Sequence, residues 1–151
     1  MSRSRAPVAV VTGAGRGIGR GIAVALAGAG FDLVLNDLAE DQAMAATMDA
    51  VRGEGARAAC VIGDISDVER SGELAQAFVN AFGVLDCLVN HAGIPALQRG
   101  DFLDMTPESF DRTLAVNLRG TFFLTQAVAR LMIEDAREAG DPARSIIFIS
   151  S

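Results

Sequence analysis

Five short apolar runs, each closed by Gly, Asn or Asp or set off by a polar connection, alternate with longer stretches whose apolar residues return every three or four positions. The runs cover residues 8–11, 33–35, 58–62, 86–90 and 145–149. Runs this short and this apolar predict strands of a parallel sheet buried on both faces. Between them the helical period predicts a helix over 17–29 with Ile18, Ile22, Ala25, Leu26 and Ala29 inward and Gly30 as its stop. A second helix over 41–52 places Met44, Met48 and Val51 inward. Ser66-Asp67-Val68-Glu69 has the form of a capping box, opening a third helix with Leu74, Phe78 and Phe82 inward and Gly83 as its stop. Thr106-Pro107-Glu108 reads as a cap with Pro at the first helical position. It opens a long helical region to about residue 139, with Phe122, Phe123, Leu131 and Met132 divided between core and partner faces.

Alternating strands and helices imply an α/β architecture, a doubly wound parallel sheet in the order 3-2-1-4-5 given right-handed crossovers. Its length of 151 residues and 50% hydrophobic content fit one domain over 1–151. A formal charge of -6 and a pI of about 4.7 argue against nucleic acid and anionic membranes as partners. The arm Met1 to Pro7 is basic, but the apolar run after it is too short for a signal core or a membrane span. A solvated arm and a cytoplasmic protein are expected. Cys60 and Cys87 read as buried thiols, kept from pairing by the two strands between theirs. One His and two distant Cys offer no metal site.

The thirteen basic residues are all Arg, and Tyr and Trp are absent, so the chain has neither Lys nor Tyr. That excludes a Schiff base, a lysine general base, a phosphate loop ending Gly-Lys-Ser/Thr and any phenolic acid. The candidate chemistry lies instead in Thr12-Gly13-Ala14-Gly15-Arg16-Gly17-Ile18-Gly19, at the turn from the first strand into the first helix. Glycines there permit a tight turn and close approach to a pyrophosphate, and the helix N-terminus supplies unpaired N–H groups. Asp37, 24 residues after Gly13, ends the second strand. It can accept from the adenosine ribose hydroxyls and repel a 2′-phosphate, which favours NAD over NADP; Arg16 is a weaker signal for NADP.

These motifs resemble those of the short-chain dehydrogenase/reductase family, over about Pro7 to the last residue. T-G-x-x-x-G-x-G is similar to the family's cofactor turn, with Gly13, Arg16, Gly17, Ile18 and Gly19 at the cofactor. Asp64-Ile65 resembles its adenine-contacting pair. Asn90-His91-Ala92-Gly93 resembles its Asn-Asn-Ala-Gly signature, with His91 a structural substitute for the second Asn that donates to neighbouring strand ends. Asn117 matches the family's active-site Asn, and Ser151 its catalytic Ser. The wording is similar to the branch described as 3-oxoacyl-(acyl-carrier-protein) reductases, although the same motifs occur on sugar, polyol and steroid enzymes. The resemblance implies a Rossmann fold, hydride transfer between nicotinamide and a carbonyl/alcohol carbon, and a homotetramer or homodimer.

The family's catalytic pair is a Tyr and a Lys beyond the fifth strand, and this sequence has neither. The expectation is therefore the N-terminal, cofactor-binding part of an oxidoreductase, lacking about 70 to 100 further residues and inactive alone. A short dinucleotide-binding protein without turnover and one half of a split enzyme are the alternatives.

Overall fold

A computed structural model describes residues 5–135 and 141–150. Five strands, β1 (Val8–Thr12), β2 (Asp32–Asp37), β3 (Ala58–Ile62), β4 (Cys87–Asn90) and β5 (Ser145–Phe148), form one parallel sheet in the order β3-β2-β1-β4-β5. This is the doubly wound, Rossmann-type order that the alternation predicts. Helices α1 (Gly17–Gly28) and α2 (Gln42–Gly53) cover one face, while α3 (Ser71–Phe82) and α5 (Thr121–Glu134) cover the other. Alternate residues of β1 feed the two cores: Val8 and Val10 pack with Phe78, Leu88 and Leu124, and Ala9 and Val11 with Leu33, Leu35 and Met44. Every one of these residues is essentially fully buried, which is why the run carries no polar alternation.

Helix α1 turns inward a face that is only partly the one expected: Ile22 and Leu26 pack half-buried against the core, but they do not form its centre. Gly19, Ala23 and Ala27 are buried, whereas Ile18 is 69% exposed and Ala25 and Ala29 face solvent. Small residues at every fourth position let the helix lie close on the sheet, and that close approach outweighs the larger apolar stripe one residue away.

The capping box at Ser66 is not formed. Ser66 instead gives its N–H and its hydroxyl to the Asp64 carboxylate, at 2.8 and 2.7 Å. A 3-10 turn, Val68–Arg70, follows, and α3 starts only at Ser71. Thr106 does cap, accepting from the Ser109 N–H at 3.2 Å with Pro107 at the first position of α4 (Pro107–Leu114). The long helical region is three pieces, α4, a π-helical stretch Ala115–Gly120, and α5 ending at Glu134. Residues 136–140, where the sequence pattern puts its end, lie outside the described residues. The π stretch passes so close to the end of β3 that a Cβ on Gly120 would lie 2.4 Å from the Ile65 carbonyl.

Opposite the C-terminal ends of the strands, two buried carboxylates stitch the sheet. Asp32, at the start of β2, accepts from the Arg57 N–H and guanidinium at 2.6–2.8 Å, and that guanidinium lies 4.4 Å over the Phe82 ring. Asp86, just before β4, accepts two bonds from Arg5 at 2.6 and 2.8 Å and one from the Val8 N–H at 2.9 Å. The arm is thus not simply solvated: from Arg5 onward it is tied to the sheet. Cys60 in β3 and Cys87 in β4 are unpaired thiols separated by β2 and β1. Burial raises the pKa of both.

Candidate functional site

The strands reverse their order of addition between β1 and β4, and the cleft at their C-terminal ends is the place where open α/β sheets take ligands. Here it is lined by Gly13, Arg16, Asp37, Asp64, Ile65, Ala92 and Gly93 from the sequence candidates. Their strands deliver them together because all five run parallel and end on one side of the molecule.

The turn after β1 is packed to the limit that glycine allows. Gly13 and Gly17 hold φ of +67° and +55°, the left-handed region that side chains disfavour. Gly19 is required for space: a Cβ there would lie 2.0 Å from the Gly13 carbonyl oxygen. Thr12 anchors the turn to the β4 loop, its fully buried hydroxyl accepting from the His91 and Ala92 N–H groups at 3.1 and 3.0 Å. Helix α1 then begins after Arg16, with no side-chain cap bond and no acidic residue in its first turn. Such an N-terminus, its leading N–H groups uncapped by a side chain and its dipole unopposed, fits an anionic group.

Asp37 stands at the end of β2 with both oxygens oriented. Oδ2 accepts from the Gly15 N–H at 2.9 Å and Oδ1 from the Leu38 N–H at 2.8 Å. Each carboxylate oxygen keeps a lone pair for a diol. Leu38, exposed beside it, and Ile65 form apolar walls of the cleft. An anion-ready helix end, an acceptor suited to a ribose and apolar walls suited to a flat base together fit a dinucleotide.

At the far side Asn117 sits in the π-helical stretch, a geometry frequent at functional sites. Its side chain holds the strand-end loop in both directions, accepting from the Ile94 N–H at 2.8 Å and donating to the Ile94 carbonyl at 2.9 Å. Asn90 donates to the Thr125 hydroxyl at 3.0 Å, supporting the loop from within the core and not from the cleft lining. The expected bond from the His91 imidazole is not made: its buried Nδ1 has no partner among the described residues, and the ring packs against Gly13 and Gly19 while the His91 main chain does the tying. Ile18 projects from the first turn of α1. Ser151 lies outside the described residues.

Other contributors have no signature in the sequence. Arg112 of α4 lines the cleft, donates to the Ser66 hydroxyl at 2.9 Å and stands 3.8 Å from Asp64. Asn36 donates to the Val61 and Gly63 carbonyls at 3.0 and 3.2 Å, setting the ends of β2 and β3. Both sets of bonds join residues far apart in sequence, so no local pattern announces them. Among the described residues no group of His, Cys, Asp or Glu is placed to hold a metal ion, and no helix is long and apolar enough to cross a membrane.

Comparison with known proteins agrees with this geometry. Versicolorin reductase 1 of Aspergillus parasiticus is 40% identical over 130 residues, covering 86% of this chain and 49% of the relative. The L-rhamnose 1-dehydrogenase (NAD(P)(+)) of Azotobacter vinelandii is 38% identical over 131 residues, covering 85% and 50%. The crystal structure of a 3-oxoacyl-(acyl-carrier protein) reductase from Brucella melitensis in complex with NAD superposes with a TM-score of 0.89 at 48% identity, over 99% of this chain and 57% of that one. The chain thus spans about half the length of the curated relatives it matches. Residues 7–151 match the short chain dehydrogenase family model, and together with the superposed fold this establishes that the chain belongs to the short-chain dehydrogenase family.

Proposed function

We propose that these residues form the single cofactor-binding Rossmann domain of an oxidoreductase that interconverts a carbonyl and an alcohol, with NAD as the favoured cofactor. The observation that carries the reading is the convergence on one cleft of the glycine turn, the uncapped α1 N-terminus and the doubly anchored Asp37 carboxylate. When bound, the nicotinamide dinucleotide supplies the hydride. Gly13 to Gly19 hold its pyrophosphate, with Ile18 packing over it. Asp37 accepts from the adenosine ribose, and Asp64 and Ile65 meet the adenine. Ala92 and Gly93 border the nicotinamide end, and Asn90 supports their loop from within the core.

For the substrate, Ser151 hydrogen-bonds the carbonyl oxygen and Asn117 supports the proton relay. The proton itself has no donor of the family's kind here, since the 151 residues include neither Tyr nor Lys. This chain alone therefore binds dinucleotide without turnover, and the activity belongs to the whole protein, a cytoplasmic homodimer or homotetramer. A 3-oxoacyl thioester is the substrate class to test first, because the structural neighbour of 48% identity acts on 3-oxoacyl groups by its name.

Titration of the chain with NADH and NADPH by calorimetry tests the reading. Binding of NADH in preference to NADPH is expected, with no NADH oxidation on adding a 3-oxoacyl thioester. Absence of dinucleotide binding overturns the proposal, and turnover overturns the assignment of inactivity. Asp37→Ala removes an ionised acceptor, a loss of roughly 1.5–3 kcal/mol for hydrogen bonds to charged groups. It should shift the NADPH-to-NADH affinity ratio toward NADPH by about tenfold or more. An unchanged ratio means that Asp37 is not the selector.

A further inference from the structure

Gly15, at the centre of the turn, is gripped on both sides. Its N–H donates to Asp37 Oδ2 at 2.9 Å. Its carbonyl accepts from Arg20 Nη2 at 2.9 Å and lies 3.1 Å from the Thr47 hydroxyl. Arg20, one turn into α1, also donates from Nε to Thr47 Oγ1 and from Nη2 to the Ala43 carbonyl, each at 2.9 Å. Thr47 is completely buried in α2, one turn beyond Ala43, whose carbonyl is also 3.1 Å from its hydroxyl. One guanidinium thus joins α1, α2 and the turn. Neither Arg20 nor Thr47 lines the cleft.

The position of these bonds matters more than their number. The N–H of Gly15 belongs to the peptide plane before its Cα, and the carbonyl to the plane after it. Pinning both planes fixes φ and ψ at the residue type with the greatest backbone freedom. A side chain on Gly15 would displace the carboxylate it is bonded to, because a Cβ there would lie 2.8 Å from Asp37 Oδ2. The planar fork of Arg suits a task with several acceptors in fixed directions. Burying a hydroxyl on α2 beside Met44 and Val51 is unfavourable unless it is hydrogen-bonded, and here it is.

We infer that Arg20 and Thr47 are positioning residues for cofactor selection: by fixing Gly15 they hold the Asp37 carboxylate where it discriminates between a ribose diol and a 2′-phosphate. The inference rests on the proposed role of Asp37 as selector. Without the clamp Gly15 turns, its N–H leaves Oδ2, and Asp37 keeps only its bond from the Leu38 N–H. The carboxylate then swings, weakening both its acceptance from a diol and its repulsion of a phosphate. The affinity for NADH falls, while that for NADPH holds or rises.

The test uses the 151-residue chain, with Kd for NADH and NADPH measured by calorimetry, Tm by thermal denaturation, and the Gly15 amide followed by hydrogen exchange in the absence of cofactor. Arg20→Ala is expected to narrow the NADPH-to-NADH Kd ratio by about tenfold, in the range of losing a bond to a charged group, and to expose the Gly15 amide to exchange as Asp37→Ala does. Thr47→Val, close in shape, should act in the same direction by a smaller factor and serves if Arg20→Ala fails to fold. Arg20→Lys, which keeps a cation for the carbonyls without the fork, should recover part of the ratio. A lowered Tm with the ratio and the Gly15 amide both unchanged overturns the inference, leaving a purely structural pair. Equal affinity of the unaltered protein for the two cofactors overturns the reading of Asp37 instead, and the Gly15 amide then decides the clamp by itself.

Discussion

Gly19→Ala is expected to abolish NADH binding and to destabilise the protein severely, whereas Gly17→Ala, two positions away, should weaken binding in a protein that still folds. The two glycines serve the turn for different physical reasons. A Cβ on Gly19 would stand 2.0 Å from the Gly13 carbonyl oxygen and 2.9 Å from His91 Nδ1. The nearer obstacle is main chain, which has no rotamer by which to withdraw. Relief requires α1 to lift from the turn, and α1 is seated on the sheet through Ala23 and Ala27. Overpacking typically costs about 1–3 kcal/mol even where side chains can yield, so a clash with backbone belongs at or above the top of that range. A Cβ on Gly17 would meet nothing within 4 Å, but the residue holds a φ of +55°. Alanine there meets only the left-handed penalty of roughly 1–2 kcal/mol. Thermal denaturation with NADH titration of both variants separates the cases. A Gly19→Ala protein with unaltered Tm and NADH affinity would show that α1 does not need its close seat on the turn.

The same residues explain how much of the molecule was legible in the sequence. The strands were, because β1, β2 and β4, covered on both faces, demand unbroken apolar runs, although β5 carries the same kind of run and is largely exposed and β3 is only half-buried. Strand order followed from chain handedness. The glycine turn, Asp37, Asp64 and the β4 signature were legible because each lies at the end of such a run, where the fold must gather them. The inward face of α1 was legible only in part, through Ile22 and Leu26. Hydrophobic periodicity weighs large side chains, and at a close helix–sheet contact it is the absence of side chain at Gly19, Ala23 and Ala27 that decides. The capping box failed for a related reason: Ser66 has the right spacing to Glu69, but Asp64 two residues earlier is a nearer acceptor. Arg20 reads locally as one more solvated charge on a helix, since nothing near it in sequence reveals that Gly15, Ala43 and Thr47 surround its guanidinium.

Asp86→Ala should bring the largest loss of stability away from the cleft, about 3 kcal/mol or more, in the range seen when one member of a buried ion pair is removed. The carboxylate is wholly inaccessible and accepts from Arg5 twice and from the Val8 N–H. Removing it strips β1 of a bond at its first residue and leaves a buried main-chain donor and a partly covered guanidinium without their acceptor. The Arg5 side chain is 35% exposed, so water compensates part of its loss, and Arg5→Ala should cost less than Asp86→Ala. Hydrogen bonding to Asp86 raises the Arg5 pKa above the ordinary guanidinium range. A cation favoured in the folded state contributes fully below its unfolded pKa and is lost only as pH rises through the higher folded value. The contribution of Arg5 should therefore be constant from pH 6 to about pH 10, below the ordinary Arg range. For a chain of this size about 3 kcal/mol corresponds to a Tm lower by roughly 6–12 °C, read by calorimetry without cofactor so that the cleft plays no part. Asp86→Asn keeps the shape and one acceptor oxygen and should fall between Asp86→Ala and the unaltered protein. If Asp86→Ala melts within a degree of the unaltered protein, the stitch at the start of β4 is incidental, and packing of the five apolar strands alone holds that edge.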